Sequence, residues 1–428
     1  MHYGIVAQGT RGDVQPMVAL ALELTKRGNL VTLVAPENFR IFVEGFHLPF
    51  VPLSGDIEAI ARSPKALKLL KGGNIFRFFY HYNKATAEIS EKANLEIYEA
   101  CKHVDHIISG SMSTAIVYSI CEKLRKKCAI VFLSMPSIPT RDFPLPLFNF
   151  SKIAFFNKLS YRFSYIFWLI IKKQTNDFRK KLQLPLFNVW EKYVTSNTLT
   201  FYTMSNALIS KPTDWPSNVH ITGIFKLPPK DREKHIMDEI PEGLEAWIAN
   251  GTKPIYIGFG SIPIPDVKKF STILFDLLNN TRERIIFGLG WSVLPNLPKH
   301  PNLFPVKYVN HDWLFPQCKL AINHGGHGSM GSVLRGQIPI LILSILADQP
   351  YNGKLIEKNN VGLHIPFNKI SAKKIRKAIK ILQEPYYVEN AKAVGSKINE
   401  ENGVLDAAMK IEAYFNHQPE PSKTNSHT

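Results

Sequence analysis

The stretch Asn323-His324-Gly325-Gly326-His327-Gly328-Ser329 constrains this chain more than any other. Ahead of it lies a short apolar run, Leu320-Ala321-Ile322, that reads as a buried strand. Behind it, Met330 to Arg335 reads as the opening of a helix closed by Gly336. A strand, a glycine-rich turn and a helix start together present several backbone N–H groups and the positive end of a helix dipole to an anion. Gly325, Gly326 and Gly328 let the main chain approach a phosphate closely. Ser329 adds a hydroxyl, and His324 can donate a hydrogen bond or positive charge to a diphosphate. Beyond the apolar run Pro339 to Leu346 come Asp348 and Gln349, an adjacent carboxylate and amide at a strand's C-terminal end, suited to the hydroxyls of a sugar. The turn alone is weak evidence. With His324, Asp348 and Gln349 it points to a nucleotide-sugar site.

The rest of the chain alternates strands and helices. His2 to Gln8 reads as a strand, Val14 to Arg27 as a helix ended by Gly28, and Leu30 to Ala35 as a second strand. This is a unit of the parallel α/β kind. Asp13 sits where a helix N-cap is preferred, and Pro16 falls in the first turn, where proline is tolerated. Further strands are expected at His106 to Ser109, Ala129 to Leu133, Ile255 to Phe259, Arg284 to Leu289 and Pro339 to Leu343. A length of 428 residues exceeds one ordinary core, so two domains are expected. The proline- and charge-rich piece around Pro228, Pro229 and Lys230 marks the join. The division read from the sequence is an N-terminal domain over 1–223, a linker over 224–247, a C-terminal domain over 248–400, and a last helix plus polar tail over 401–428.

Bulk properties narrow the class. With 45% apolar and 20% charged residues the chain is globular. Arg11 and Asp13 follow the first strand at once, which is not a secretory pattern, and no apolar run approaches the roughly 20 residues of a spanning helix. Cys101, Cys121, Cys128 and Cys318 lack paired spacing and read as reduced thiols of a cytoplasmic protein. The net charge of +17 is high, but no nucleic-acid-binding motif accompanies it, so nucleic acid is not expected as a partner.

One segment stands apart. Phe148 to Leu184 carries Phe150, Phe155, Phe156, Tyr161, Phe163, Tyr165, Phe167 and Trp168 among Lys152, Lys158, Arg162, Lys172, Lys173, Arg179, Lys180 and Lys181, with Asp177 the one acid. It reads either as a pair of core helices with basic outer faces, or as an interfacial helix pair that touches anionic lipid peripherally and delivers a greasy acceptor.

His324-Gly-Gly-x-Gly-Ser329, Gly336-x-x-Pro339 and Asp348-Gln349 resemble the donor signature of the UDP-dependent glycosyltransferases. Several further stretches resemble the branch that holds sterol glucosyltransferases and bacterial antibiotic glycosyltransferases. They are Gly9 to Pro16, Met135-Pro136 with Pro139-Thr140, Lys211-Pro212-x-Asp214-Trp215-Pro216, Gly258-Phe259-Gly260-Ser261 and His311 to Pro316. The resemblance implies a GT-B fold, two facing Rossmann-like parallel-sheet domains with the site in the cleft between them, and a terminal helix that returns to the N-terminal domain. It implies an inverting transfer of a hexose, UDP-glucose being the expected donor, to a hydroxyl of a hydrophobic acceptor such as a sterol, another lipid or a polyketide-like aglycone. Asp13 would be the base facing the acceptor. His324, Gly325, Gly326, Gly328 and Ser329 would hold the diphosphate, and Asp348 and Gln349 the sugar. Gly12, Ser261, Trp291 and Val309 match positions along the cleft. No cofactor is implied, and no Asp-x-Asp or His/Cys cluster suggests a metal.

Each assignment has a plainer rival. Asp13 can be a helix cap, Ser261 a turn cap, Trp291 core, and His324 a packed histidine at a strand end. The chain also departs from the common His-His-Gly-Gly-Ala-Gly-Thr: Asn323 replaces the first histidine, His327 the alanine and Ser329 the threonine. Serine keeps the hydroxyl, whereas His327 adds bulk near the sugar or acceptor. Two other functions compete. A dinucleotide oxidoreductase needs G-x-G-x-x-G, which Gly9-x-x-Gly12 does not supply. A non-catalytic lipid or sugar binder would not need Asp13, His324, Asp348 and Gln349 together.

Overall fold

In a computed structural model of the chain, residues 1–428 are described except 73–74, 134, 149–150, 152, 189–197, 229–239, 295–296 and 417–428. Much of the expected linker, the tail beyond Asn416, and Phe150 and Lys152 therefore lie outside the described residues.

Two parallel sheets form the frame. The first has seven strands: β1 (His2–Val6), β2 (Leu30–Pro36), β3 (Phe50–Leu53), β4 (His106–Gly110), β5 (Cys128–Phe132), β6 (Leu199–Tyr202) and β7 (Val219–Ile221), in the order β3-β2-β1-β4-β5-β6-β7. The second has six: β8 (Ile255–Gly258), β9 (Ile285–Gly288), β10 (Leu303–Val306), β11 (Leu320–Asn323), β12 (Ile340–Ile342) and β13 (Gly362–His364), in the order β10-β9-β8-β11-β12-β13. Strand order reverses beside β1 in one sheet and between β8 and β11 in the other. In such sheets ligands sit at the carboxyl ends of strands at this reversal. The Gly9 turn follows β1 and the Gly325 turn follows β11, so each lies at such a point.

Central strands are apolar on both faces because helices cover both. Tyr3, Ile5, Val31 and Leu33 are buried with Met17 and Leu20 of helix α1 (Arg11–Lys26). The terminal helix Gly403–Asn416 closes the same core with Val404, Ala407, Ile411 and Phe415, and Glu412 pairs with Arg27 at 2.7 Å. Burying side chains the size of Val404, Ile411 and Phe415 is worth about 1.5–3 kcal/mol each, which anchors the chain's end to its beginning.

The helix starts differ from expectation. α1 begins at Arg11, with Thr10 as N-cap and Asp13 at the third helical position in a reciprocal capping box. Pro16 consequently lies inside the helix rather than in its first turn, and has no N–H to donate to the Gly12 carbonyl.

The aromatic segment forms α2 (Ala154–Ser160), a short 3-10 turn at Tyr161–Phe163, and α3 (Ser164–Lys181). The core reading of it holds in part. Trp168, Thr175, Phe178 and Arg179 are core; Arg179 pairs with Glu122 at 2.9 Å and stacks on Phe187 at 3.5 Å. Phe155, Phe156, Phe163, Tyr165 and Leu169 are exposed. No helix among the described residues is long and apolar enough to cross a membrane.

Candidate active site

A cleft of about 910 Å³ opens between the carboxyl edges of the two sheets, and residues from both line it. On the side of the first sheet stand Gly9 to Asp13. Gly9 has φ +124°, and a Cβ there would sit 2.3 Å from Asp13 Oδ2, so only glycine lets the turn fold against that carboxylate. Asp13 Oδ2 accepts the Thr10 N–H at 2.7 Å and the Thr10 hydroxyl at 3.2 Å. Burial pushes the Asp13 carboxyl up to about 6, against the opposing pull of the two Thr10 bonds. Capping and lining the cleft therefore coexist in one side chain.

On the facing side β11 ends at Asn323. Its Oδ1 accepts the Gly325 N–H at 2.8 Å and tightens the turn, which gives the first departure from the family pattern a structural role. Gly325 has φ +84°, and a Cβ would meet Ile342 at 2.5 Å. Helix α4 (His327–Arg335) starts three residues earlier than expected, with Gly326 as its N-cap. Gly328 is exposed and Ser329 half-buried, both on the cleft wall. His324 is buried, and burial drives its imidazole down to about 4, with His311 adding to the effect. It is thus neutral here: a hydrogen-bonding group, not the resident positive charge that the sequence allowed.

Asp348 and Gln349 begin helix α5 (Gln349–Lys358) and line the cleft; Ala347, just before them, is held at φ +58°. Burial raises Asp348 to about 6, and the Asp13 charge across the cleft adds to the shift. Gln349 Oε1 is occupied: it accepts the Ile345 and Leu346 N–H groups at 2.7 and 3.1 Å, which leaves the Nε2 end for a ligand. Gly12, Ser261, Trp291 and Val309 all reach the cleft wall, with Trp291 buried and tied by its main-chain N–H to the Gly260 carbonyl at 3.0 Å.

Sequence reasoning missed three contributors. Asn352 Nδ2 donates to the Gly325 carbonyl at 2.8 Å and to Asp348 Oδ2 at 3.1 Å, joining the glycine turn to the carboxylate. Its signal was faint, four residues after Asp348 on one helix face. Tyr308, beside Val309, offers an exposed ring to the cleft. The third is a contact of His327 with Thr203. The apolar end of the cleft is built by Leu133, Met135, Ile138, Leu145, Phe167 and Ile170.

Residues 3–141 match the glycosyltransferase family 28 N-terminal domain, and residues 273–408 the C-terminal domain of the erythromycin biosynthesis protein CIII-like family. Two sterol 3-beta-glucosyltransferases of Arabidopsis thaliana are 32% and 31% identical over 98% of this chain, which spans 66% and 68% of their lengths. The sterol 3-beta-glucosyltransferase of Yarrowia lipolytica is 28% identical over 96% of the chain, which spans 28% of that protein. Among solved structures, the glycosyltransferase SnogD from Streptomyces nogalater aligns with a TM-score of 0.65 at 16% identity, covering 96% of this chain and 99% of its own. Glycosyltransferase VinC, solved in complex with DTDP, aligns at 0.66 and 14% identity, covering 97% and 99%. These likenesses are to the fold, two facing Rossmann-like sheets. By sequence and by architecture, the chain belongs to the glycosyltransferases of GT-B fold, in the family that includes the sterol 3-beta-glucosyltransferases.

Proposed function

We propose that this glycosyltransferase moves a hexose from a UDP-sugar, with UDP-glucose the first candidate, onto a hydroxyl of a hydrophobic acceptor of the sterol or lipid class. The observation that carries the reading is the single cleft holding Asp13 on one wall, the Gly325–Ser329 turn and Asp348 on the other, and an apolar chamber at its end. The acceptor hydroxyl would give its proton to Asp13 while its oxygen bonds to the sugar's anomeric carbon. The bond from that carbon to the diphosphate oxygen breaks, and UDP leaves carrying the electron pair. One displacement inverts the anomeric centre. Charge developing on the diphosphate would be met by the main-chain N–H groups at the start of α4, by the helix dipole and by His324. Asp348 and the Gln349 amide would hold sugar hydroxyls. These donors suit a diphosphate without a metal, so turnover should survive chelation of divalent cations.

The acceptor would arrive from a membrane surface. Tyr165 and Ile171 of α3 both line the cleft and face solvent, so the chamber opens beside the exposed aromatic face. Phe155 and Phe156 there are 70% and 57% exposed. Arg141, Lys158 and Arg162 edge a neighbouring hollow of about 510 Å³ with Phe155 and Leu159, and have no ion-pair partner among the described residues. Pro139 lines both hollows.

Incubation with a panel of UDP-sugars and sterol, lipid and polyketide acceptors, followed by mass spectrometry, tests the reading. A glycosylated product from a hydrophobic acceptor supports it. UDP-sugar binding with no product from any acceptor would favour the binder.

A further inference from the structure

His327 occupies the first position of α4, in the turn proposed to hold the diphosphate, where the family pattern has alanine. Its Nε2 lies 2.8 Å from the Thr203 carbonyl oxygen and 3.4 Å from the Thr203 hydroxyl. A carbonyl can only accept, so Nε2 carries the hydrogen and Nδ1 the lone pair. The ring is buried, and burial holds it neutral, with its pKa down to about 4. Nδ1 is buried with no hydrogen-bond partner among the described residues. An orphaned buried nitrogen costs about 1–3 kcal/mol, a cost that alanine would avoid.

The partner explains where this bond acts. Thr203 follows directly on β6 of the first sheet, is 1% exposed, and is itself fixed by its N–H to the Phe132 carbonyl at 3.0 Å. α4 belongs to the second sheet. One turn further along α4, Gly331 packs on Ile224, where a Cβ would come within 2.9 Å. Side-chain ties from α5 and its C-cap to the first half of the chain include Asn359 to the Leu208 carbonyl at 3.1 Å and Lys354 to the Phe148 carbonyl at 3.0 Å. The His327 bond therefore joins the helix start that would grip the leaving group to the sheet that carries Asp13.

We propose that His327 is a positioning residue: by holding the first turn of α4 to the Thr203 carbonyl, it fixes the donor diphosphate relative to Asp13 and so sets how the sugar partitions between the acceptor hydroxyl and water. The proposal rests on the transfer reading above. It requires no contact of the imidazole with substrate.

Three variants test it. His327→Ala removes the bond, His327→Phe keeps the volume without a donor, and His327→Gln replaces the N–H donor. Misplacement of about 1 Å costs up to about 100-fold in rate. The transfer kcat of the Ala and Phe variants should therefore fall about 10- to 100-fold, with UDP affinity within about threefold of wild type. The ratio of UDP-sugar hydrolysis to transfer should rise in the same variants, and Gln should restore both quantities most of the way. A wild-type kcat and partition ratio in Ala, or an equal loss in Gln, would overturn the proposal. Amide hydrogen exchange over residues 327–331, measured on the protein without substrate, needs no turnover. Faster exchange in Ala than in Gln supports the latch, and equal protection in all variants rejects it. If wild type transfers no sugar at all, the transfer reading fails, and the exchange result still decides whether the latch exists.

Discussion

The carboxylate of Asp13 holds both the main chain and the side chain of Thr10 through one oxygen: Oδ2 accepts the Thr10 N–H, at 2.7 Å, and the Thr10 hydroxyl, at 3.2 Å. A helix-capping duty and a base facing the cleft make opposite demands on a substitution here. Asparagine keeps an oxygen acceptor for Thr10 but cannot take a proton. If Asp13 is the base, Asp13→Asn should lower kcat by about 100- to 10,000-fold while the melting temperature and UDP affinity stay near wild type. If it is only a cap, activity should stay within a few-fold. Steady-state rates with calorimetric UDP titration distinguish the two.

The pH profile follows from the same burial. The base must be ionised to work, and burial lifts its carboxyl to about 6. Activity as kcat/KM should therefore rise with pH up to about 6 and level off above it. Repulsion between Asp13 and Asp348 is mutual, so Asp348→Asn, besides weakening the grip on the sugar, should move this acidic limb to lower pH. For stability the sign is opposite. Both carboxyls are raised from the ordinary value of 3.8 to about 6, so their contribution is full below about 4 and is lost as pH climbs through about 6. Thermal melts from pH 4 to 7 should show that decline, and UDP-sugar turnover over the same range should show the rise.

The glycine turn makes a sharper claim. A Cβ on Gly326 would lie 2.4 Å from His324 Nε2, inside any real contact distance. Gly326→Val must therefore displace the imidazole and place a branched side chain where the diphosphate would lie. We expect UDP affinity to fall beyond calorimetric detection with the protein still folded by circular dichroism. Unchanged affinity would move the diphosphate elsewhere.

Much of this was legible in the sequence, and its limits are physical. Strands β1, β2 and β11 announced themselves because a central parallel strand is apolar on both faces. The four edge strands β3, β7, β10 and β13 did not: Pro52, His220, Pro305 and His364 interrupt runs of only three or four residues. The start of α1 was misplaced because Asp13 was read as a cap. The spacing Thr10-x-x-Asp13 carried the better reading, a capping box with the acid at its third helical position. Asn352 was faint and Tyr308 invisible for another reason. Their roles come from what the fold sets beside them, and single-residue chemistry says nothing of that. The same holds for His327, whose partner Thr203 is 124 residues away.

The last prediction concerns the exposed aromatic face. Of the basic residues along 148–184, several on α3 lie beside acids. Lys173 pairs with Asp177 at 2.6 Å, Lys180 lies 3.8 Å from the same acid, and Lys181 pairs with Glu91. The cations that share a hollow with the exposed Phe155, whose ring meets that of Phe156, are instead Arg141, Lys158 and Arg162. Each basic residue close to an anionic bilayer is worth roughly 1 kcal/mol, so three of them with two inserted aromatic rings suffice for reversible attachment. Reversing Arg141, Lys158 and Arg162 to Glu, or changing Phe155 and Phe156 to Ser, should release the protein from phosphatidylserine-containing vesicles in a sedimentation assay. Reversing Lys173 and Lys181 should do much less. Salt should weaken binding of the wild type by screening, and the aromatic variant should keep its activity on a short, water-soluble acceptor while losing it on a bilayer-embedded sterol. If wild type stays in the supernatant at low salt, or if the triple reversal pellets as well as wild type, the acceptor does not reach the cleft across this face.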